Sequence, residues 1–414
     1  MMLDAASSSN PYEADKMFVF AEGEDYERGL TIGRQAKHQI RQNIETFTAF
    51  YTSKGISRTS MLNKVDEVRK YGTIPEECLL YLKAMAQNAS IRLEDLLAYN
   101  LYNNLLLPDE CTVLIAMRDS TKDGNVIMLK NSDKIGSEKL VGDKYYNHKE
   151  VNVVIAEKPE NGYAFIAVAA AGEISIKMGL NEKGVATGSN ISRTWELKQK
   201  KVDLTGLRAL DRGWLMREGI SKNLTAENAA ATVLNNLISN PMSTPGNIEF
   251  LDSEKAVIIE GSYDRLAVQK TSTGVLARSN RFVVLESLND PEDVSSYVRY
   301  IRAMQLLSKN RGEITEEMMI TFSQDHENGP GPNSICRHGY DFREETSLSA
   351  AVMEINVSDK GNSTIHVCLG KPCHAWKAKD GHIKLNLKNI ESIPQDFLEG
   401  TVFKKFYSEK PFES

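Results

Sequence analysis

No apolar run in this chain is long enough to cross a bilayer: within 414 residues no uninterrupted hydrophobic stretch approaches the ~20 residues a span requires. The opening residues, MMLDAASSSNPYEADK, are polar and lack the apolar core of a secretory signal. The expected compartment is therefore the cytoplasm, with no membrane association. Cysteine is scarce. Five stand at positions 78, 111, 336, 368 and 373, an odd number at irregular spacing, which argues against a disulfide framework. An excess of positive charge is also missing. Fifty Lys and Arg against 56 Asp and Glu leave a net charge of −6 with the signs interspersed, so there is no basic face for nucleic acid. A phosphate loop is absent: Gly329-Pro330-Gly331-Pro332 is a rigid turn without the Lys-Ser/Thr ending. No fixed-period repeat or low-complexity tract is visible, and no polar linker interrupts residues 111–414.

What is present divides at 108–111. Before it the pattern is helical. Tyr26, Gly29, Leu30, Gly33, Ile40, Ile44, Phe47 and Tyr51 recur mostly at three- and four-residue steps, which predicts helix over 25–51. Gly29 and Gly33 sit one turn apart, and a glycine inside a helix costs about 1 kcal/mol against alanine, so a close neighbour is expected there. Pro75 with Glu76 and Glu77 opens a second helix, and a third runs from Ser90 to Tyr102. Residues 1–15 read as a loose tail and the rest of 1–110 as nearly all helical.

After residue 110 short strands are expected at 112–117, 125–130, 151–156, 163–169, 173–179 and 184–190. Hairpin turns fall at Asp123-Gly124-Asn125 and Asn181-Glu182-Lys183-Gly184. A helical block covers 204–239, its second helix started by Thr225. Strands follow at 248–252, 256–261, 265–270 and 274–279, helices at 294–309 and 315–324, and closing strands at 349–357 and 363–370. Hairpins with helices in blocks predict an α+β fold of antiparallel sheets covered by helices.

Cys111 carries the chemistry. It follows Pro108-Asp109-Glu110 and opens the apolar run Thr112–Met117. Scission of the Glu110–Cys111 bond would give it a free α-amino group, whose ordinary pKa of about 7.7–8.0 suits a base for its own thiol. Asp133, at the far end of the hairpin, is placed to approach Cys111 across the ladder. Asn190 and Asn280 end strands and are candidates for oxyanion donors. Arg299 is a candidate guanidinium clamp on the 294–309 helix. Each has an ordinary alternative: buried small hydrophobe, solvated strand-end acid, turn-former, surface arginine. His366, Cys368, Cys373 and His374 offer zinc-type ligands at poor spacing, because Cys373 and His374 are adjacent and do not easily converge. Cys336 and His338 stand too close in sequence for a catalytic dyad, whose partners normally meet through the fold. No metal is expected at the catalytic centre.

Six segments in order resemble those of autoproteolytic N-terminal-nucleophile hydrolases of the acyl-coenzyme A:isopenicillin N acyltransferase family, which is distantly similar to choloylglycine hydrolases and penicillin V acylases. They are Tyr26-Glu27-Arg28-Gly29 through Gly33; Cys111-Thr112; Lys130-Asn131-Ser132-Asp133; Gly179-Leu180-Asn181-Glu182-Lys183-Gly184 through Asn190; Ser279-Asn280-Arg281-Phe282; and Ser295-Ser296-Tyr297-Val298-Arg299. The resemblance implies a four-layer αββα sandwich over 111–414, the large subunit. It also implies a helical propeptide over 1–110, retained as the small subunit in a heterodimer or an oligomer of heterodimers. It assigns Cys111 as nucleophile, with Asp133 on its amine, Asn190 and Asn280 at the oxyanion, and Arg299 in the active site. Lys130 and Arg281 would contact substrate. The implied activity is hydrolysis of a small-molecule linear amide without a cofactor. Alternatives are acyl transfer from a coenzyme A thioester or amide to an amine, and an uncleaved ligand-binding protein of the same fold. Three positions depart from the family pattern: Lys130 stands where arginine is common, Arg281 where histidine is usual, and Glu110 where glycine is frequent.

Overall fold

The computed structural model describes residues 18–53, 55–70, 76–106, 110–135, 138–141, 144–147, 150–199, 210–338, 345–378 and 381–388. The expected tail at 1–15 lies outside them. The N-terminal part comprises strand β1 (Phe18–Gly23) and helices α1 (Asp25–Gln35), α2 (Lys37–Ser53), α3 (Arg58–Lys70), α4 (Glu76–Ala89) and α5 (Leu93–Leu106). Strands β2 (Glu110–Ala116), β3 (Val126–Ile135), β4 (Glu138–Val141), β5 (Lys144–Asn147), β6 (Asn152–Pro159), β7 (Phe165–Ala170), β8 (Met178–Asn181) and β9 (Ala186–Ile191) follow. Then come α6 (Trp195–Gln199), α7 (Arg212–Lys222), α8 (Ala226–Ser239), β10 (Gly246–Leu251), β11 (Ala256–Gly261), β12 (Leu266–Thr271) and β13 (Val275–Arg278). The chain continues through α9 (Val294–Lys309), α10 (Glu316–Ser323), β14 (Glu345–Ile355), β15 (Thr364–Leu369), α11 (Pro372–Ala375) and β16 (His382–Asn386).

Among the described residues the strands form an eight-stranded sheet, β1-β6-β7-β8-β9-β10-β11-β12, and a six-stranded sheet, β13-β2-β3-β14-β15-β16, with β4 and β5 paired separately. The sheets face each other. Val113, Ile115 and Met128 of the smaller sheet pack with Val154, Ile166, Met178 and Ile258 of the larger. The alternate residues point outward. Val153, Ile155, Phe165, Ile248 and Phe250 meet α1, α4, α5, α7 and α8. On the other side Leu114, Ala116 and Leu129 meet Ala303 and Leu307 of α9 and Met319 and Phe322 of α10. Helices thus cover both outer faces of a mixed α+β sandwich. No helix among the described residues is long and apolar enough to cross a membrane.

Several expectations need correction. One strand interrupts the nearly all-helical N-terminal part: β1 joins the large sheet at its edge and pairs with β6 in parallel, so that sheet is not purely antiparallel. The helix expected over 25–51 is two, broken at Ala36. Only Met178 and Gly179 of the expected 173–179 strand are extended in the ladder. Upstream, the Ile174 N–H goes to Asn100 Oδ1 at 2.8 Å and that of Ile176 to Gly213 O at 3.2 Å, so these groups bond to helical segments and not to a strand. The turn at 181–184 holds, with Gly184 at φ 75°, whereas β2 and β3 are joined by the longer segment 117–125, which contains a 3-10 turn at Arg118–Ser120 and a left-handed Gly124 at φ 71°. Thr225 caps α8 by accepting the Asn228 N–H. Part of the 204–239 block, up to 209, is outside the described residues. Gly29 and Gly33 let α1 lie on α4: a Cβ would come 2.2 Å from Tyr81 O at one and 2.3 Å from Met85 O at the other.

Candidate active site

The ladder between β2 and β13 covers only Val113–Ala116, because β13 ends at Arg278. Two residues beyond that ladder, at Cys111, side chains replace the missing strand. The Cys111 N–H donates to Asn280 Oδ1 at 3.3 Å, and the Cys111 carbonyl accepts from Arg299 Nη1 at 3.0 Å. The same nitrogen donates to Thr112 Oγ1 at 3.0 Å, and Arg299 Nη2 donates to Asn280 Oδ1 at 2.6 Å. Cys111, Asn280 and Arg299 are all buried. Arg299 reaches this depth because it shares the inward face of α9 with Ser296, Ala303 and Leu307, at helical spacing. Burial, helped by the nearby Arg337 charge, pulls the Arg299 guanidinium down to about 10.

Asn190, near the end of β9, donates its amide to the Ser279 carbonyl, next to Asn280. Asn280 reciprocates by donating Nδ2 to Ile191 O at 3.0 Å. The two asparagines therefore tie the end of β9 to the end of β13. Each amide nitrogen carries a second N–H.

Asp133 pairs with Glu110 across β2 and β3, and Ser132 pairs with Cys111. Side chains alternate along a strand. Asp133, Glu110 and Thr112 thus face α9 and α10, whereas Cys111 shares the inter-sheet face with Val113 and Lys130. Asp133 neighbours the Glu110–Cys111 peptide and not the thiol. Its Oδ1 accepts from Ser347 Oγ at 2.6 Å, while Oδ2 has no hydrogen-bond partner among the described residues. Burial pushes this carboxyl up, against the opposing pull of Arg337 and Arg299.

Glu110 has partners that sequence reading did not anticipate. Its carboxylate is gripped directly by Arg193 and Arg337, and Arg299 Nη2 lies 3.6 Å away. Arg193 and Arg337 in turn hold Glu345 at 2.8 and 3.0 Å. Those residues come from four distant stretches of chain, and no local pattern marks them.

Lys130 is buried and donates to the Lys177 carbonyl at 2.5 Å. Beside it Glu249 stands opposite Gly188 in the large sheet. Neither Glu249 carboxyl oxygen has a hydrogen-bond partner among the described residues, and burial raises its pKa to about 7 although Lys130 and Arg278 oppose the shift. Arg281 lies elsewhere, with its guanidinium 4.8 Å from the Tyr297 ring centre and 3.2 Å from Glu286. A cavity of about 100 Å³ lies on the helix side of the large sheet, lined by Arg28, Cys78, Tyr81, Trp214 and Arg217 among others. Its lining includes none of the expected site residues.

The four residues weighed as zinc ligands do not act together. His366 bonds Glu316 at 3.0 Å and His382 at 2.8 Å, and Cys368 is buried within β15. Cys373 instead meets His326, Cys336 and His338. Cys336 and His338, set aside as sequence neighbours, do approach each other, at 3.8 Å.

No protein-family model matches the chain. Among the solved structures to which it is distantly similar are a hydrolase, an acylase and an amidase. A mutant of conjugated bile acid hydrolase from Clostridium perfringens is 12% identical, with 67% of this chain and 93% of that one covered and a TM-score of 0.40. Penicillin V acylase from Agrobacterium tumefaciens is 10% identical, with 67% and 86% covered and a TM-score of 0.39. The Caenorhabditis elegans ortholog of N-acylethanolamine-hydrolyzing acid amidase is 14% identical, with 59% and 92% covered and a TM-score of 0.38.

Proposed function

We propose that this chain is a self-processing cysteine amidohydrolase of the N-terminal-nucleophile kind, with Cys111 as nucleophile. One observation carries the reading: both backbone polar groups of Cys111 are held by buried side chains, Asn280 and Arg299, at the start of a strand. These are three of the residues that the sequence resemblance picks out, and they converge from positions 111, 280 and 299.

In maturation the Cys111 sulfur attacks the Glu110 carbonyl carbon. The peptide C–N bond breaks, its nitrogen becomes the Cys111 α-amine, and a thioester forms. Water opens the thioester, leaving a carboxylate on Glu110 and a thiol on Cys111. In turnover the α-amine accepts the thiol proton and sulfur attacks a substrate amide carbonyl. The amine then passes the proton to the leaving nitrogen, and water releases the acyl group. Asn190 and Asn280 stabilise the oxyanion through amide N–H groups. Asp133, beside the scissile peptide, holds the new amine. Lys130, on the thiol's own face of the sheet, contacts substrate.

Incubation with a panel of small linear amides, followed by acid quench and peptide mass analysis, tests this. An acyl adduct on the peptide beginning at Cys111 is expected for at least one amide. Fully processed protein that neither forms an adduct nor hydrolyses any member of a broad panel would contradict amidase activity. A second reading, an uncleaved ligand-binding protein of the same fold, draws support from the arginines that pin Glu110 just before the bond. The mass of the purified chain separates the two.

A further inference from the structure

His326, Cys336, His338 and Cys373 each direct a donor atom into one small volume, all four lying within 4.8 Å of one another. His338 Nε2 is 3.2 Å from Cys373 Sγ and 3.8 Å from Cys336 Sγ. Zinc binds sulfur at about 2.3 Å and imidazole nitrogen at about 2.0–2.1 Å, so a tetrahedral set places its donors roughly 3.3–3.8 Å apart. The spacing here needs only small side-chain adjustment to meet that geometry. A separate observation points to a missing ligand. His326 Nε2 is buried and has no hydrogen-bond partner among the described residues, a rare condition for a buried polar atom.

We propose that these four side chains form a structural zinc site. The inference goes beyond the amidase reading and does not depend on processing at Cys111. Two thiolates and two imidazoles are a donor set that zinc takes in closed tetrahedral sites, with no position left for water or substrate. The ligands come from three separate stretches: His326 just after α10, Cys336 and His338 before β14, and Cys373 in α11. An ion there cross-links them. The cross-link also has a consequence for the active site. Arg337 lies between two of the ligands and holds Glu110 and Glu345 with its guanidinium. Its N–H also donates to Ser347 Oγ at 2.9 Å, and that hydroxyl donates to Asp133. Zinc would therefore fix the segment that carries Arg337 against the strand that contains the scissile bond.

The test is the metal content of the full chain, purified under reducing conditions without chelator from zinc-supplemented medium. One zinc per chain is expected in wild type. Cys336→Ser combined with Cys373→Ser should reduce it to background. Replacing the metal with Co²⁺ in wild type should produce a thiolate-to-cobalt charge-transfer band and the visible absorption of a tetrahedral site. Wild type that holds no zinc and gives no such band overturns the proposal. So does reduced, metal-free wild type whose Cys336 and Cys373 thiols are oxidised by dissolved oxygen to a disulfide as fast with Zn²⁺ present as without it. Retention of full zinc by the double variant would place any bound metal elsewhere and also overturn it. Wild-type metal content and cobalt absorption decide the matter even if the variant fails to fold.

Discussion

Arg299 Nη2 and Asn280 Oδ1 meet at 2.6 Å, and together the two side chains hold both ends of a single residue's backbone, that of Cys111. The arrangement follows from the early end of β13. The strand stops short of Cys111, and a helix side chain and a loop amide complete the hydrogen bonding that a neighbouring strand would have supplied.

Arg299→Lys keeps a cation on α9 but loses the planar fork that reaches Cys111, Thr112 and Asn280 together. A charge-assisted hydrogen bond contributes about 1.5–3 kcal/mol, which corresponds to roughly 10- to 100-fold in rate. Appearance of the new N-terminus should slow by that factor. Timed intact-mass measurement after synthesis checks it, with circular dichroism to show that the fold survives.

Glu249 sets a pH dependence of stability. Its carboxyl is raised from 4.5 to about 7 by burial, so the folded protein keeps this proton over a range where the unfolded chain has lost it. Its contribution is therefore complete below pH 4.5 and is lost as pH rises through 7. The shift corresponds to about 3 kcal/mol at most. Glu249→Gln removes the ionisation. Denaturant unfolding should find the variant more stable than wild type at about pH 8 and close to it at about pH 4.5.

Gly33→Ala should destabilise the contact of α1 with α4. Its Cβ would lie 2.3 Å from the Met85 carbonyl oxygen, which belongs to helix backbone and cannot swing aside. Overpacking of this kind costs about 1–3 kcal/mol, outweighing the roughly 1 kcal/mol gained in helix propensity. A lower denaturant midpoint with an unchanged slope is the expected result.

Much of the sandwich was legible because its hairpins follow local rules. β2 reads as a short apolar run followed by the Asp123-Gly124 break before β3, and α9 and α10 carry clear apolar stripes. The two glycines of α1 forecast a close neighbour, and α4 is that neighbour. β1 was missed because six residues after a polar tail give too short a pattern, and its partner β6 lies more than a hundred residues on. β16 was missed for a similar reason: it is a five-residue edge strand at the end of the small sheet.

The site was legible only in part. Cys111, Asn280 and Arg299 could be paired in advance through the family resemblance, since spacing alone does not bring them together. The arginines around Glu110 and the Ser347 hydroxyl on Asp133 join residues remote in sequence, and such tertiary pairs leave no periodic trace. Asp133 was expected to approach Cys111, and the register puts it opposite Glu110, one position along the ladder from Cys111. The Cys and His cluster escaped because its members combine a local pair, Cys336 and His338, with two distant partners. The motif sought in the tail shares only Cys373 with it.

The central claim is that the Glu110–Cys111 bond is cut by the Cys111 thiol. Intact-mass analysis of purified wild type and Cys111→Ala measures this directly. Dividing the 46.2 kDa chain in the ratio 110:304 predicts fragments of about 12 and 34 kDa, the larger beginning Cys-Thr-Val-Leu. Cys111→Ala should remain whole. Active wild type that stays a single uncut chain, or a larger fragment with a different N-terminus, would contradict the account.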